Sequence, residues 1–274
     1  KALNEKGINA TLDHLGEHTD SVELASSATN DIIQALDAIQ TSSVRANVSL
    51  KLTQIGLGVS PEMCAENLER IVAHADKLTN FVRVDMEDSP VTQVTLDILR
   101  KVRAKGYRNV GIVIQAYLYR SEQDIRDLVS ECISVRLCKG AYKEPVEVAF
   151  AKKRDVDANY DKCGGMLMDG AKAQGCTEVS EDGRFPPMPG LATHDESRII
   201  FAKQYAQQIG LPKNGLEFQM LHGIRRELQE RLAKEGYPVR VYVPYGTEWY
   251  PYFMRRLAER PANVWFFISN FFRK

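Results

Sequence analysis

The segment Val110–Glu131, VGIVIQAYLYRSEQDIRDLVSE, joins an apolar run rich in β-branched residues to a stretch of helical periodicity. Its first part, Val110–Gln115, predicts a strand that is buried on both faces, because apolar residues fill nearly every position. Its second part predicts a helix over Glu122–Glu131, since Ser121 is followed by a first turn of acidic residues that suits the helix dipole. The segment is therefore predicted to be one strand–helix unit.

The same order of strand and helix repeats along the whole chain. Strands are predicted over Ile8–Asp13, Asn47–Thr53, Phe81–Asp85, Val110–Gln115, Val135–Cys138, Gly190–Thr193, Glu217–Leu221 and Arg240–Val243. Helices are predicted over Val22–Ala38, Pro61–Lys77, Val91–Ala104, Glu122–Glu131, Ala158–Ala173, Glu196–Ile209, Ile224–Glu235 and Glu248–Glu259. Strict alternation of this kind is typical of α/β proteins with a parallel sheet.

Eight such units close most simply into a (β/α)8 TIM-like barrel, because right-handed crossovers place every helix outside a closed parallel sheet. We predict this parallel eight-stranded barrel, with the last helix packing near the active-site mouth, and keep an open doubly wound sheet as the alternative. No Pro-, Gly- or Ser-rich linker divides the chain, so residues 1–274 form a single predicted domain. The Gly- and Pro-rich loop Gly175–Gly190, at the bottom of the barrel, is expected to be mobile.

Composition narrows the range of functions. Lys plus Arg and Asp plus Glu both total 36, so the formal net charge is zero and no global field attracts a nucleic-acid backbone. The longest uncharged apolar stretches, such as Val110–Ala116, are much shorter than the roughly 20 residues of a membrane-spanning helix. The 5 cysteines include no C-x-x-C pair, which favours reduced thiols in a cytoplasmic compartment and gives no indication of a metal site.

Polar residues collect where the predicted strands end. They are Asp13, Glu17, Lys51, Asp85, Glu87, Gln115, Arg136, Lys139, Thr193, His194, Asp195, Gln219, His222, Tyr242 and Tyr245. In a (β/α)8 barrel the C-terminal strand ends carry the catalytic groups, whereas buried strand positions otherwise prefer Val, Ile and Leu. So many ionisable groups at one rim would be costly as scaffold alone, and the pattern indicates an active site.

Single residues also have structural interpretations. Lys51 could extend its ammonium to solvent, Asp85 could cap the turn before the next helix, and His194 could be a hydrogen-bonded structural histidine. The aromatic stripe of the last predicted helix, Trp249–Phe253, is more typical of core packing.

Two segments point to specific ligands. In Arg136–Tyr142 a strand ends in two cations followed by Gly140 and Ala141, which lets backbone N–H groups and positive charge approach a flavin or a phosphate. Arg255 and Arg256, adjacent on the last predicted helix, suit a fork that binds a carboxylate, with a solvated basic face as the alternative.

These motifs resemble those of a known family. Arg136–Tyr142 (RLCKGAY), Ala192–Asp195 (ATHD), Gln219–Gly223 (QMLHG), Tyr242–Gly246 (YVPYG) and Trp249–Glu259 (WYPYFMRRLAE) are similar to segments of the proline dehydrogenases, specifically the monofunctional bacterial type. The resemblance runs from about Gly7 to Arg260. It implies a (β/α)8 barrel that binds FAD at the C-terminal strand ends and oxidises L-proline to Δ1-pyrroline-5-carboxylate, the first step of proline catabolism.

The resemblance also implies residue roles. Asp85, Arg136 and Tyr242 match catalytic residues of the family. Substrate-binding positions are Lys51, Tyr142, Leu221, Tyr252, Arg255 and Arg256, of which Lys51 and the two arginines hold the proline carboxylate. Flavin-binding positions are Met86, Gln115, Arg136, Lys139, Gly140, Ala141, Thr193 and His194. Glu17 and Arg255 would form a gate over bound ligand, and no metal is implied.

The implied partners are a membrane quinone as electron acceptor and a separate pyrroline-5-carboxylate dehydrogenase downstream. We expect a cytoplasmic enzyme, with peripheral contact at the inner membrane if the aromatic tail Val264–Lys274 docks on a bilayer; packing of that tail on the barrel is the alternative. The rival chemistry is a class I aldolase, in which Lys51 or Lys139 forms a Schiff base. A third hypothesis, a non-enzymatic binding barrel, is opposed by the number of converging charges.

Overall fold

Eight parallel strands close into one barrel in the computed structural model, which describes residues 1–16, 18–175 and 179–246. The strands are β1 (Asn9–His14), β2 (Ala46–Leu50), β3 (Val82–Val84), β4 (Val110–Gln115), β5 (Val135–Cys138), β6 (Pro189–Ala192), β7 (Glu217–Leu221) and β8 (Val239–Tyr245). Each strand pairs in parallel with the next one along the chain, and β8 closes the barrel on β1, with Asn9 opposite Arg240 and His14 opposite Tyr245. The predicted closed barrel is confirmed, and the open sheet is excluded.

One α-helix follows each of the first seven strands. The helices are α1 (Val22–Ser42), α2 (Pro61–Lys77), α3 (Ser89–Arg103), α4 (Ser121–Ser130), α5 (Lys153–Ala173), α6 (Glu196–Ile209) and α7 (Arg226–Lys234). The predicted eighth helix, Glu248–Glu259, lies outside the described residues. Within the described ranges no helix is both long enough and apolar enough to cross a membrane.

Most element boundaries lie within two residues of the prediction. Strand β2 ends at Leu50, short of the predicted Thr53, because Thr53–Ile55 forms a 3-10 turn. Helix α5 begins at Lys153, a turn earlier than the predicted Ala158. Helix α2 begins as its sequence indicates, since the Ser60 hydroxyl accepts hydrogen bonds from the two backbone N–H groups after Pro61.

The apolar core lies between the barrel and the helices, not inside the barrel. Alternate strand residues such as Val48, Leu50, Val82 and Val84 belong to this outer core. The residues between them are largely polar and face the barrel axis, as hydrogen bonds between distant strands show. This corrects our expectation that strand positions away from the rim would be filled by Val, Ile and Leu.

The loop before β6 closes the bottom of the barrel. Arg240 of β8 donates a hydrogen bond to the carbonyl of Gly183, and Asn47 of β2 donates one to the carbonyl of Arg184. The ring of Phe185 packs edge-on against Phe81, 5.9 Å between centroids. The loop was expected to be mobile; in the structure its residues Gly183, Arg184 and Phe185 contact β8, β2 and Phe81 at the barrel floor.

Candidate active site

The C-terminal ends of the strands enclose a cavity of about 370 Å³. Every predicted site residue that the structure describes lines this cavity: Lys51, Asp85, Met86, Gln115, Arg136, Lys139, Gly140, Ala141, Tyr142, Thr193, His194, Leu221 and Tyr242. Glu17, Tyr252, Arg255 and Arg256 lie outside the described residues. The cavity wall also includes Gln219 and Asp195, which are strand-end polar residues without a predicted role.

Arg136 occupies the centre of the cavity floor, with only 7% of its surface exposed. Its Nη1 donates to Asp85 Oδ1 at 2.9 Å and to Ser49 Oγ at 3.2 Å, and its Nε donates to Gln219 Oε1 at 2.5 Å. A longer contact of 3.4 Å joins its Nη2 to Thr11 Oγ1. These partners come from four strands around the barrel, so the guanidinium links opposite walls.

Asp85 accepts hydrogen bonds from two hydroxyl groups in addition to its ion pair with Arg136. Its Oδ2 accepts a hydrogen bond of 2.9 Å from the Tyr242 hydroxyl, and its Oδ1 accepts one of 2.7 Å from Ser49. Burial raises the pKa of Tyr242 well above its ordinary value, and the carboxylates of Asp13 and Asp85 add to this. Tyr242 therefore stays a hydrogen-bond donor across the physiological pH range. The predicted catalytic residues Asp85, Arg136 and Tyr242 thus lie in one hydrogen-bonded group.

Lys51 stands next to a fully buried carboxyl group. Its Nζ lies 3.5 Å from Asp13 Oδ2, and Asp13 is 0% exposed. Burial raises the pKa of Asp13, an effect that the Lys51 ammonium opposes and that Asp85 reinforces. The ammonium of Lys51 therefore faces the cavity with a carboxylate behind it.

Sequence reasoning missed the charged layer beneath this group. Glu217 and Arg240 form an ion pair that is almost wholly buried, with Nε and Oε1 2.8 Å apart. Arg83, 1% exposed, donates to the backbone carbonyls of Ile112 and Ser134. The signal that could have found them is a charged residue between two valines, as in Val82–Val84 and Val239–Val241, because an isolated ion in a central strand requires a buried partner.

The structure gives Gly140 a packing role that the sequence did not indicate. Its φ of 119° lies in the left-handed region, and an added Cβ would lie 2.4 Å from the ring of Tyr117. The glycine therefore makes room for Tyr117 as well as turning the chain at the cavity wall.

Two polar side chains of the wall are oriented by backbone contacts. Gln115 donates from its amide nitrogen to the Glu87 carbonyl at 2.7 Å. His194 accepts a hydrogen bond from the Leu221 backbone N–H at 3.0 Å through Nε2, and it also lines the cavity. It is therefore a hydrogen-bonded structural histidine, as one interpretation predicted, that can also contact a ligand. Both contacts fix which atoms these side chains can offer to a ligand.

Comparison with known proteins identifies the family. The family model described as proline dehydrogenase matches residues 1–268. The chain belongs to the proline dehydrogenase family.

Relatives of known name agree. Proline dehydrogenase 2 of Bacillus subtilis (strain 168) is 43% identical over 275 residues, which cover 100% of this chain and 85% of the relative. The proline dehydrogenase of Deinococcus radiodurans is 39% identical over 274 residues, covering 98% of this chain and 84% of the relative. The fold described above is therefore that of a proline dehydrogenase barrel.

A solved structure shares the barrel. Proline utilization A (PutA) from Bdellovibrio bacteriovorus, inactivated by N-propargylglycine, superposes with a TM-score of 0.83 at 26% sequence identity. The match covers 93% of this chain but 30% of that PutA chain. The proline dehydrogenase barrel thus corresponds to one part of a much longer protein.

A network of ion pairs borders the cavity of this proline dehydrogenase between β5 and β6. Lys139 pairs with Asp157 on α5 and, at 2.8 Å, with Asp195 at the start of α6. Burial raises the pKa of both carboxyls. The hydrogen bond and charge of Lys139 together with those of Lys153 at Asp157, and together with the Ser197 backbone N–H at Asp195, outweigh burial, so the net pKa of each carboxyl is lowered. The predicted flavin-lining residue Lys139 is therefore also an anchor between α5 and α6.

One carboxyl of the network behaves in the opposite way. Burial raises the pKa of Asp161 to about 6, although the Arg198 guanidinium 3.0 Å away favours its charge; the charge of Asp157 adds to the increase. Between about pH 4 and 6 the folded protein holds a proton here that the unfolded chain has lost, so the free energy of unfolding falls as pH rises through this window.

We expect Asp161→Asn to flatten this part of the stability profile. The pH-dependent difference between the variant and the parent should be about 1 kcal/mol after allowance for solvent screening, because the side chain is partly exposed. Urea unfolding at pH 4 and pH 7 measures it. Parallel profiles for the two proteins would show that Asp161 titrates normally.

Proposed function

We propose that this protein oxidises L-proline to Δ1-pyrroline-5-carboxylate with FAD bound at the mouth of the barrel. The observation that carries the proposal is the single cavity in which all described residues expected from the family come together. The names of the relatives support proline as the substrate. So does the inactivation of the PutA relative by N-propargylglycine, which shares a secondary amine and a carboxylate with proline.

The chemistry of the cavity wall fits a flavin. A flavin ring has one apolar edge and one edge of carbonyl and N–H groups, and the cavity offers Met86 and Val113 beside Gln115 and Lys139. The bond from one Gln115 amide N–H to the Glu87 carbonyl fixes the orientation of the amide, so its oxygen can accept from a bound ring and its second N–H can donate to one. Gly140, Ala141, Thr193 and His194 complete the proposed flavin-binding set. When bound, FAD supplies the acceptor for the hydride that leaves the substrate.

The inner face of the strands favours an anionic substrate. Three cations, Lys51, Arg136 and Lys139, and two carboxylates, Asp85 and Asp195, line the cavity among the described residues. This excess of one positive charge in a low-dielectric interior attracts an anion. We propose that Lys51 binds the proline carboxylate together with Arg255 and Arg256.

The remaining residues position the substrate and the charges around it. Tyr142, Leu221 and Tyr252 form the proposed walls of the substrate pocket. Arg136, held by Asp85 and Gln219, keeps a fixed positive charge at the cavity floor, where it stabilises negative charge that develops during turnover. Tyr242 and Ser49 keep Asp85 aligned with Arg136.

Access to the site is proposed to depend on Glu17 and Arg255, which pair over bound ligand. An exposed ion pair of this kind contributes about 0 to 1 kcal/mol by itself, so closure requires the substrate anion beneath it. A membrane quinone, met at a peripheral site on the inner membrane, is the proposed electron acceptor. The product would pass to a separate pyrroline-5-carboxylate dehydrogenase.

The aldolase alternative is not favoured. Both candidate Schiff-base lysines are engaged by carboxylates, Lys51 by Asp13 and Lys139 by Asp157 and Asp195. An ion-paired ammonium is not a nucleophile, because the amine must first lose a proton.

The visible spectrum of the purified protein, supplied with FAD, tests the function. Under anaerobic conditions, L-proline should bleach the flavin bands, and D-proline serves as the control. A protein that retains no flavin, or whose flavin is unchanged by L-proline, would reject the proposed reaction.

A further inference from the structure

A continuous chain of hydrogen bonds runs down the barrel interior from the cavity to the floor. It starts at Arg136 and passes through Gln219 and Glu217 to Arg240, which in turn donates to the carbonyls of Ala10 and Gly183. The chain thus joins the central cation of the site to the loop that closes the bottom of the barrel.

Gln219 is locked in one orientation. Its Oε1 accepts from Arg136 Nε at 2.5 Å, and its Nε2 donates to Glu217 Oε1 at 2.7 Å. A guanidinium only donates and a carboxylate only accepts, so the reverse orientation of the amide would break both bonds. The backbone leaves space for this amide at Gly190, where an added Cβ would lie 2.7 Å from Nε2.

The end of the hydrogen-bond chain nearest the barrel floor, Glu217 and Arg240, is held firmly because its charges are paired. Arg240 binds both carboxylate oxygens of Glu217, with Nε 2.8 Å from Oε1 and Nη2 3.0 Å from Oε2. Its other donors bind Ala10 O at 2.8 Å and Gly183 O at 2.7 Å. Such a two-point fork fixes the plane of both groups.

We infer that Gln219 is a positioning residue for Arg136, with Glu217 and Arg240 as its support. Asp85 and Ser49 hold one edge of the Arg136 guanidinium, and Gln219 holds the Nε edge, so the two together define the plane in which its charge is presented to the cavity. This inference rests on the proposed oxidation of proline and adds to it a second set of residues, which act through Arg136.

Three variants of the FAD-loaded protein test it. Gln219→Met keeps the size of the side chain and removes the acceptor; it should lower kcat for L-proline about 10- to 100-fold and change KM less than about 3-fold. Gln219→Glu keeps an acceptor for Arg136 but places a second carboxylate against Glu217, with Arg136 and Arg240 as the neighbouring cations. The two carboxylates repel each other and raise the pKa of one of them, so the pH profile of kcat should gain an ionisation that the parent lacks.

The third variant, Glu217→Gln combined with Gln219→Glu, exchanges the carboxylate and the amide. The amide can now donate to the carboxylate and accept from Arg240 Nη2, but the bond from Arg240 Nε to Oε1 is lost. We therefore expect kcat to recover at least about 3-fold above that of Gln219→Glu, and the extra ionisation to disappear. Recovery by exchange is not expected from a residue that only fills space. The matched control is Asn109→Leu, which removes a buried amide bonded to the carbonyls of Val72 and Asn80, far from Arg136 in the hydrogen-bond network; it should lower stability and leave kcat unchanged.

A readout without flavin completes the test. In protein labelled with ¹⁵N at arginine, the Nε–H of Arg136 should exchange slowly in the parent and in the exchanged double variant, and at least 10-fold faster in Gln219→Met. If the parent oxidises proline while Gln219→Met retains full kcat and slow exchange, Gln219 does not position Arg136. If the parent itself does not oxidise proline, the exchange measurement still decides the structural part.

Discussion

Arg136→Met is expected to lower kcat/KM for L-proline by about two to three orders of magnitude. The substitution removes the cation that pairs with Asp85 at 2.9 Å and leaves this carboxylate in the barrel with only hydroxyl partners. Removing one member of a buried ion pair costs about 3 to 5 kcal/mol of folding stability. Removing a group that stabilises charge in the transition state costs about 2.7 to 4 kcal/mol of activation free energy, and each 1.4 kcal/mol corresponds to a factor of about ten in rate. The fixed positive charge at the cavity floor is lost at the same time.

Steady-state kinetics measure the loss of turnover, and thermal unfolding measures the loss of stability. Arg136→Lys keeps a charge but cannot reach Asp85, Ser49 and Gln219 together, so it should recover stability more than kcat. Adding Asp85→Asn to Arg136→Met should restore part of the stability, because no unpaired carboxylate remains, without restoring turnover. Activity of Arg136→Met within 5-fold of the parent would remove this residue from the machinery.

The periodic signals in the sequence predicted the barrel because each strand–helix unit is specified locally. The strand Val135–Cys138 and the helix Pro61–Lys77 have the predicted bounds, since their apolar pattern and end residues act within a few positions. Strand β8 is longer than predicted and reaches Tyr245, because its last residues pair with β1 across almost the whole length of the chain. No local pattern reports a partner so distant in sequence.

In the site, too, features set by local sequence could be predicted and features set by distant partners could not. That Arg136 and Asp85 would meet could be expected from their places at strand ends, which converge on one rim of a barrel. That Arg136 is held from below by Gln219, Glu217 and Arg240 could not, because the chain of hydrogen bonds joins three strands and depends on side-chain rotamers. The position of Arg240 between two valines indicates that it has a buried partner, but only the structure shows that this partner is Glu217.

Lys51→Met is expected to raise KM for L-proline about 10- to 100-fold, with a smaller change in kcat. The proposed contact between the Lys51 ammonium and the substrate carboxylate is a charge-assisted hydrogen bond, whose loss costs about 1.5 to 3 kcal/mol in a buried site. KM is the sensitive parameter because the contact holds the substrate equally before and during hydride transfer.

Lys51→Met should also change the pKa of Asp13 and, through it, the pH dependence of stability. Burial already raises the pKa of Asp13, and Lys51, 3.5 Å away, opposes the increase. Without the ammonium the pKa of Asp13 should rise further. The folded protein would then keep its proton to higher pH than the unfolded chain does, so the free energy of unfolding of Lys51→Met should fall more steeply with rising pH than that of the parent.

Asp13→Asn provides the matched control, alone and combined with Lys51→Met. The double variant holds no ionisable group at either position, so its stability should lose the steep pH dependence of Lys51→Met while its KM stays high. Initial rates over a range of proline concentrations and urea unfolding between pH 5 and 8 measure both effects. A KM for Lys51→Met within 2-fold of the parent would mean that the ammonium serves only to neutralise Asp13, because in that case the buried pair is retained for the barrel itself and the substrate carboxylate is bound by other cations.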